Sequence, residues 1–246
     1  MKPHNTMSIT KGIVYYSDCK LPEPLFTTVQ ELILQAELPI TSCTLKPLAF
    51  GYNVVLENRK PCYFTMVEQI LTALENSKED YVFFCEHDVL YHKSHFDFVP
   101  TRDDIYYYNS NNWRWRPPDS HVVNYDRLIS LSGLCVNREL ALKHYRIRYD
   151  ALVDAGLEGI TGEPDWIRKI GYEPGTKKKK RGGLTDEDFE TFKSEYPIID
   201  IRHGGTFSPP KITKDSFKHA PVNWNELPIE YIKGWDLTKI KIWQKY

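Results

Sequence analysis

Hydrophobic and polar positions in the first third of the chain alternate in blocks that predict strands separated by helices. Three apolar runs have the length and composition of buried strands, at residues 12–18, 40–48 and 80–85. The two blocks between them have the spacing of amphipathic helices, at residues 22–39 and 61–77. Pro61 suits the first turn of the second helix, whose apolar face comprises Phe64, Val67, Leu71 and Leu74. This β-α-β-α-β order predicts an α/β fold with a parallel sheet and crossover helices.

Beyond residue 100 the pattern predicts shorter and less regular elements. Strands are predicted at residues 103–109, 128–136 and 196–205. A helix is predicted over residues 137–156, with Asn137 as its N-cap and Gly156 just past its end. A shorter helix is predicted over residues 163–171, with Pro164 at its first position.

The length of 246 residues is enough for one α/β domain with a full core and a tail. Residues 111–120, an aromatic and basic stretch, and residues 173–183, a charged stretch flanked by glycines, are predicted to be loops. We predict a single domain over residues 1–208. Its proline-punctuated C-terminal extension, residues 209–246, is expected to wrap over that domain.

The composition restricts the classes of function. Hydrophobic residues make up 41% of the chain and charged residues 26%, as in an ordinary globular protein. A formal net charge of -1 gives no overall positive field for nucleic acid or an anionic membrane. The five cysteines are scattered and lack CxxC spacing, which argues against a disulfide framework or a zinc knuckle. The sequence contains neither a long apolar stretch nor an apolar signal core, so we expect a cytoplasmic protein without a transmembrane segment.

Polar side chains follow two of the predicted strands. Asp18 ends the first strand, and Glu86, His87 and Asp88 follow the strand at residues 80–85. In parallel α/β sheets, ligands bind beyond the carboxyl ends of the strands. Carboxylates and an imidazole at such an end suit Mg²⁺ or Mn²⁺. An ordinary surface turn after the strand would also explain these three polar residues.

Two later segments carry candidate chemistry. Glu163 and Asp165, in "GEPDW", lie at the start of a predicted helix, where the helix dipole favours ionised carboxylates that could accept a proton. Helix capping would explain the same two residues. His203 follows a predicted strand and precedes two glycines, whose backbone freedom would allow close approach to a metal. An ordinary surface histidine is the alternative.

The order of these motifs resembles the metal-dependent glycosyltransferases of the GT-A fold, especially the family 2-like and galactosyltransferase-like groups. "EHD" at residues 86–88 stands where those enzymes have a D-x-D-like triplet, "GEPDW" stands at their G-E-D-like segment, and "HGGTFS" stands at a downstream metal-binding histidine. The resemblance covers residues 12–208. It implies a Rossmann-like, mostly parallel sheet flanked by helices. The departures are Glu86 in place of the usual first Asp and the proline between the two acids.

The resemblance implies an inverting transfer of a sugar from a nucleotide-diphosphate sugar, with a UDP-sugar as the first choice, to an acceptor hydroxyl. Asp88 and His203, together with Glu86, would hold Mn²⁺ or Mg²⁺. Glu163 or Asp165 would act as the base, and the position of Asp165 within the first helical turn favours it. The resemblance also implies donor contacts from Tyr16, Asp18, Arg59 and Asp88. Trp113, Arg114 and Trp115 are candidates for stacking on the acceptor.

The acceptor and two other functions remain open from the sequence. Five consecutive cations at residues 177–181 form either a solvated surface loop or a contact with phosphate. Together with the "WRWR" stretch they add a hydroxymethylated base in DNA to a glycan as a candidate acceptor. A metal-dependent phosphohydrolase or nuclease would also place acids at strand ends, although such enzymes use more carboxylates to hold two metals. A non-catalytic module that binds carbohydrate or nucleic acid would account for the aromatic residues.

Overall fold

The computed structural model describes residues 9–117, 119–160, 165–206 and 210–240. Its strands, in chain order, are β1 (Lys11–Ser17), β2 (Ile40–Thr44), β3 (Tyr52–Val55), β4 (Tyr81–Glu86), β5 (Val89–Leu90), β6 (Ile105–Asn109), β7 (Asn112–Trp115), β8 (His121–Asn124), β9 (Leu134–Asn137), β10 (Asp188–Phe192), β11 (Ile198–Ile201) and β12 (Asn225–Pro228). Its α-helices are α1 (Leu25–Leu34), α2 (Tyr63–Asn76), α3 (Arg138–Asp154) and α4 (Asp165–Ile170).

A seven-stranded sheet forms the centre of the fold, in the order β10-β6-β9-β4-β1-β2-β3. Strands β4, β1, β2 and β3 run parallel to one another, and β10 runs parallel to β6. Strand β9 is antiparallel to both of its neighbours. The predicted α/β class is therefore confirmed, with a mostly parallel central sheet and helices beside it.

Alternating side chains of the central strands pack into two separate apolar cores. Phe83 and Cys85 of β4 face the core that contains the buried residues of α1. Val82 and Phe84 face the core that contains the buried residues of α2 and α3. This arrangement follows from the two-residue period of a strand. It explains why residues 81–85 form an unbroken apolar run, because both faces of the strand are covered.

A second sheet of five strands, in the order β12-β8-β7-β11-β5, packs beside the first. Strand β5 follows β4 after a two-residue turn and pairs antiparallel with β11. Strand β12 extends this sheet by pairing with β8. Further along the tail, Ile232 and Leu237 are buried in the same core as α1. No helix in the described part of the chain is long and apolar enough to span a membrane.

Several helix boundaries follow the predicted capping. Asn137 caps α3 by accepting hydrogen bonds from the backbone N–H groups of Glu139 and Leu140. Gly156 lies just past the helix with a φ of 65°, a left-handed conformation that glycine adopts at little cost. The prediction for Pro61 was wrong by two residues, because Cys62 is the N-cap of α2 and Pro61 precedes it.

Six strands were missed, namely β3, β5, β7, β8, β10 and β12. The predicted loop at residues 111–120 contains β7, whose Arg114 and Trp115 are both buried. The short strands β3 and β10 were also missed, and both lie at the edges of the large sheet. Edge strands are half-exposed and lack the continuous apolar run that marks a central strand, so their sequences resemble loops. The predicted strand at 128–136 begins later, at Leu134, after a 3-10 turn.

Candidate metal centre and substrate cavity

The ends of β1 and β4 meet at one edge of the large sheet. The two strands are parallel neighbours, and their register places Tyr16 beside Glu86. Asp18 and the 86–88 turn therefore emerge side by side, as the carboxyl-end rule predicts. The imidazole Nδ1 of His87 lies 3.9 Å from Oδ1 of Asp18.

The small sheet brings His203 to the same place. Strand β11 pairs with β5, and the N–H of Ile201 donates to the carbonyl of Asp88 at 2.9 Å. His203, two residues further along, then reaches back over the turn. Its Nε2 lies 3.1 Å from Oδ2 of Asp88.

His87, Asp88 and His203 form a group suited to hold a metal ion. One ligand atom from each lies within 4.8 Å of the other two. Two imidazoles and a carboxylate are typical ligands of divalent transition metals. The donor set therefore fits a divalent cation, and of the two predicted ions it favours Mn²⁺, because Mg²⁺ prefers a shell made of oxygen. Ser17 supports the group, since its Oγ lies 2.6 Å from Nδ1 of His87.

The pKa of the Asp88 carboxyl is lowered despite its burial. Loss of solvent raises the pKa of this carboxyl, but the hydrogen bond from His203 and the charges of His87, His203 and Arg202 outweigh that effect. The net result is a pKa below the usual range. A bound cation requires this carboxylate to be ionised and the two imidazoles to be neutral.

Glu86 has a different environment from Asp88. Burial, followed by the neighbouring charge of Asp88, raises the pKa of Glu86 to about 8. Its Oε1 accepts a hydrogen bond of 2.5 Å from the hydroxyl of Tyr16. The group of potential ligands does not include Glu86. The prediction that Glu86 is a metal ligand thus has no support from the geometry, in which the side chain is paired with Tyr16.

A cavity of about 510 Å³ opens beside this group. Its described lining comes from the end of β1 and the residues after it, the start of α2, the 86–88 turn, β7, the segment before β9, the segment after α4, and the end of β11 with the residues after it. The lining residues used below are Tyr16, Ser17, Asp18, Glu86, His87, Asp88, Arg114, Glu173, Asp200, Arg202 and His203. The volume is in the range of small-molecule binding sites.

Two buried arginines share one carboxylate at the wall of the cavity. Strands β7 and β11 place Arg114 opposite Asp200. The Nη1 of Arg202 contacts both carboxylate oxygens of Asp200, at 3.1 and 3.2 Å. The Nε of Arg114 lies 3.4 Å from Oδ2 of Asp200, and its Nη1 donates to the hydroxyl of Tyr125 at 2.8 Å. Two guanidinium groups beside one carboxylate leave a net positive charge, which suits a phosphate-bearing ligand.

The remaining predicted donor residue lies apart from the cavity. Arg59 forms a 2.6 Å ion pair with Glu68 of α2, and it lies outside the described residues that line the cavity. Tyr16, Asp18 and Asp88, by contrast, all contribute to the lining.

The predicted acceptor residues are separated by the alternation of β7. Arg114 lines the cavity beside the metal group. Trp113 points to the opposite face of the sheet and lines a different cavity together with Asn111 and Phe189. Trp115 is only 4% exposed and packs in the core, so its ring cannot stack on an acceptor. Alternation along β7 places Arg114 on the opposite face from Trp113 and Trp115. Since Trp115 is also buried, the three side chains cannot act on one ligand.

The predicted base segment is described in part. Asp165 begins α4 and is exposed to solvent. It lies outside the described residues that line the cavity. Glu163 lies outside the described residues altogether.

Three residues of the site were missed as candidates from the sequence. Asp200 and Arg202 lie within three residues of the predicted ligand His203, so each had a neighbouring motif as a signal. Glu173 had no such signal, because it lies in a segment interpreted as a charged surface loop. Its place in the cavity wall depends on contacts with distant parts of the chain.

Comparisons with known proteins give likenesses of structure. No protein-family model matches the sequence, and no curated protein does. The structure is similar to a glycosyltransferase involved in the glycosylation of the major capsid of PBCV-1, with 8% identity over 78% of this chain and 93% of that chain, and a TM-score of 0.47. It is also similar to bifunctional IspDF from Campylobacter jejuni, with 13% identity over 63% of this chain and 50% of that chain, and a TM-score of 0.40.

A third similar structure is a mutant of Drosophila β-1,4-galactosyltransferase 7 in complex with manganese, UDP-Gal and xylobiose. The identity is 14%, the aligned part covers 72% of this chain and 81% of that chain, and the TM-score is 0.32. Two of the three solved structures are thus glycosyltransferases, the class that the sequence motifs resemble. All three TM-scores lie below 0.5, so the proposals that follow depend on the topology and the site of this chain.

Proposed function

We propose that this protein is a metal-dependent glycosyltransferase that uses a nucleotide-diphosphate sugar as its donor. The observation that carries the proposal is the group of His87, Asp88 and His203, which forms at the carboxyl edge of a parallel sheet and opens into a cavity of about 510 Å³. A sheet edge of this kind is a general location for nucleotide sites. The donor with the best fit to the sequence resemblance is a UDP-sugar.

One part of the cavity wall, the two arginines around Asp200, supports a diphosphate ligand. Arg114 and Arg202 lie in its wall and outnumber their shared partner Asp200. His87, Asp88 and His203 would hold the cation, whose charge, when it is bound, favours departure of the diphosphate. The end of β1, with Tyr16 and Asp18, lines the same cavity and offers a surface for the nucleoside.

The proposed reaction is a direct displacement with inversion at the anomeric carbon. The acceptor oxygen bonds to that carbon as the bond to the diphosphate oxygen breaks, and a carboxylate of this chain accepts the acceptor proton. Asp165 and Glu163 are the bases that the sequence resemblance suggests. The acceptor is a glycan or a hydroxymethylated base in DNA, because either presents a primary or secondary hydroxyl to such a site.

A phosphohydrolase or nuclease is less well supported than a transferase. Two-metal hydrolases hold their ions with several carboxylates, whereas the potential metal ligands described here include the single carboxylate of Asp88. Release of inorganic phosphate or cleaved DNA by the purified protein would favour this alternative.

The test is calorimetric titration of the protein with UDP-, GDP- and TDP-sugars, in Mn²⁺ and in chelator. We expect one nucleotide class to bind in the presence of Mn²⁺, and binding to be lost in chelator and in Asp88→Ala. The matched control is Asp126→Ala, which removes an exposed carboxylate away from the metal group. Absence of donor binding to the wild-type protein at concentrations of about 1 mM would refute the transferase proposal, since typical substrate affinities are tighter.

The acceptor class is tested with two probes once a donor is identified. DNA carrying hydroxymethyl-pyrimidines and a set of short glycans are each incubated with the protein, the donor and Mn²⁺, and the products are weighed by mass spectrometry. A mass increase of one hexose or pentose on either probe identifies the class. If DNA is the acceptor, its binding should weaken with added salt.

A further inference from the structure

The wall of the cavity contains a carboxylate that the sequence motifs do not indicate. Glu173 lies in the segment between α4 and the basic stretch at residues 177–181. It lines the same cavity as Asp88, Arg114 and His203. The role inferred for Glu173 rests on the proposed transferase function, because it is a role in the transfer reaction.

Buried groups fix the backbone on both sides of Glu173. The side chain of Arg148, which is 1% exposed, donates from Nη1 to the carbonyl of Gly171 at 2.8 Å. The buried Tyr108 hydroxyl donates to the carbonyl of Pro174 at 2.7 Å. These donors belong to α3 and β6, so the segment is tied to the core of the domain at two points.

Two further contacts restrict the same segment. The hydroxyl of Thr176 donates to the carbonyl of Glu173 at 2.8 Å. Gly175 has a φ of 79°, and a Cβ at this position would lie 2.7 Å from the ring of Tyr106. The loop thus has a fixed backbone in contact with a buried ring. A group that acts in catalysis needs such support, because its geometry must be held within a fraction of an ångström.

The electrostatic environment of Glu173 suits a proton acceptor. Burial raises the pKa of its carboxyl above the ordinary value, and the positive charges of Arg148, Arg114 and Lys177 oppose that rise. These charges face Glu173 from α3, from β7 and from its own loop. A carboxylate that is more basic than an exposed glutamate, and still near cations that favour its ionised form, is matched to general base catalysis.

Asp165 differs from Glu173 in its position. It begins a helix of six residues, it is exposed, and it lies outside the described lining of the cavity. The geometry thus favours Glu173 over Asp165 for contact with a reacting group in the cavity.

We propose that Glu173 is the general base of the transfer reaction. The acceptor hydroxyl forms a bond from its oxygen to the anomeric carbon of the donor. The bond between that carbon and the diphosphate oxygen breaks, and its electron pair leaves with the diphosphate. The proton of the acceptor hydroxyl goes to a carboxylate oxygen of Glu173, so charge and atoms balance.

The test uses Glu173→Gln, which keeps the size and polarity of the side chain but removes its basicity. The rate of donor hydrolysis is measured with the UDP-sugar and Mn²⁺, because water then takes the place of the acceptor and no acceptor needs to be known. We expect a loss of about 10²- to 10⁴-fold in rate, with donor affinity in calorimetry unchanged within about threefold. Glu195→Gln, an exposed glutamate, is the matched control and should keep the wild-type rate.

Rescue by azide provides a readout that a structural role would not give. Azide attacks as an anion and needs no base, so Glu173→Ala in azide should form a glycosyl azide, measured by mass spectrometry. Thermal melting of each variant shows whether it is folded. The rate of the wild-type protein should also fall at acidic pH as the base is protonated, and Glu173→Gln should lose this pH dependence.

Two results would overturn the assignment. One is a rate in Glu173→Gln within about threefold of wild type. The other is a loss of rate together with azide rescue in Asp165→Asn or Asp165→Ala, which would move the role to Asp165. Failure of the wild-type protein to bind any donor is a different outcome, because it would remove the transferase proposal itself and this role with it.

Discussion

Nε2 of His203 lies 3.1 Å from Oδ2 of Asp88, although 115 residues separate the two in the chain. The contact results from the pairing of β11 with β5, which follows directly on the turn that carries Asp88. The antiparallel pairing of β5 with β11 thus brings His203 to a site whose other residues lie at the end of the parallel strand β4. Both side chains are largely buried, with exposed fractions of 11% and 15%.

This contact predicts that both histidines of the group contribute to binding of Mn²⁺ alone. His87→Ala and His203→Ala should each weaken Mn²⁺ affinity by at least about tenfold, since each removes a potential ligand from a set of three. Electron paramagnetic resonance of free Mn²⁺ during a titration measures the affinity. His219→Ala, which removes an exposed histidine, should retain wild-type affinity. Equal affinity in all four proteins would exclude this group as the metal site.

Ser17 is expected to act on the metal through His87. Its Oγ lies 2.6 Å from Nδ1 of that ring and orients it. Loss of a group that supports a ligand typically costs about 10- to 100-fold in metal affinity, so Ser17→Ala should weaken Mn²⁺ binding by about tenfold. Isothermal titration calorimetry with Mn²⁺ measures the change, and Ser216→Ala serves as an exposed control. Unchanged affinity in Ser17→Ala would mean that His87 is held by other contacts.

The burial of His95 leads us to expect a loss of folding stability in acid. It is fully buried, and burial lowers its pKa to about 3, against about 6.5 for an unfolded histidine. Because the unfolded chain binds the proton first, stability that is present at neutral pH is lost as the pH falls from about 6.5 towards 3. The loss from this residue at about pH 5 is roughly 2 kcal/mol.

The variant His95→Phe should remove this contribution and retain the aromatic packing against Phe83 and Phe192. Urea unfolding at about pH 7 and pH 5 gives the loss of stability for each protein. We expect the loss to be smaller in His95→Phe than in wild type by about 2 kcal/mol. His219→Phe should behave as wild type does. An equal loss in His95→Phe and wild type would show that His95 is protonated in the folded state.

Two glycines with left-handed backbones offer a matched pair of substitutions. Gly156 has a φ of 65° and no atom within 4 Å of a built Cβ. Gly175 has a φ of 79°, with a Tyr106 ring atom at 2.7 Å and the carbonyl of Asp188 at 3.0 Å. Alanine should cost about 1 kcal/mol at Gly156, from the backbone alone. At Gly175 it should cost about 2 to 4 kcal/mol, because overpacking adds to the backbone cost.

Chemical denaturation of Gly156→Ala and Gly175→Ala measures the two losses. Since the two glycines have similar backbone conformations, the difference between the two losses of stability reports the packing of the 171–176 segment against Tyr106. Equal losses would mean that this segment is free to move away from the ring, and the fixed position of Glu173 would then lose its support.

The sequence alone predicted the class of fold, and its resemblance to a known family pointed to Asp88 and His203, two of the three residues of the metal group. The apolar runs of β1, β2 and β4 and the periodicity of α2 and α3 are strong signals, because both faces of the strands and one face of each helix are buried. Asp18 and residues 86–88 could be placed at one edge of the sheet for the same reason, since neighbouring parallel strands end together.

The contacts between polar side chains were established by the three-dimensional structure. Glu86 and Asp88 are two residues apart, yet Glu86 pairs with Tyr16 and Asp88 with His203. The residues 113–115 looked like one aromatic and basic patch, but the unrecognised strand β7 sends them to different faces. Glu173 lies in the cavity wall because Arg148 and Tyr108, which are distant in the chain, donate hydrogen bonds to the backbone on either side of it. Local patterns encode burial and periodicity, whereas the partners of a polar side chain depend on strand register and long-range packing, which those patterns do not contain.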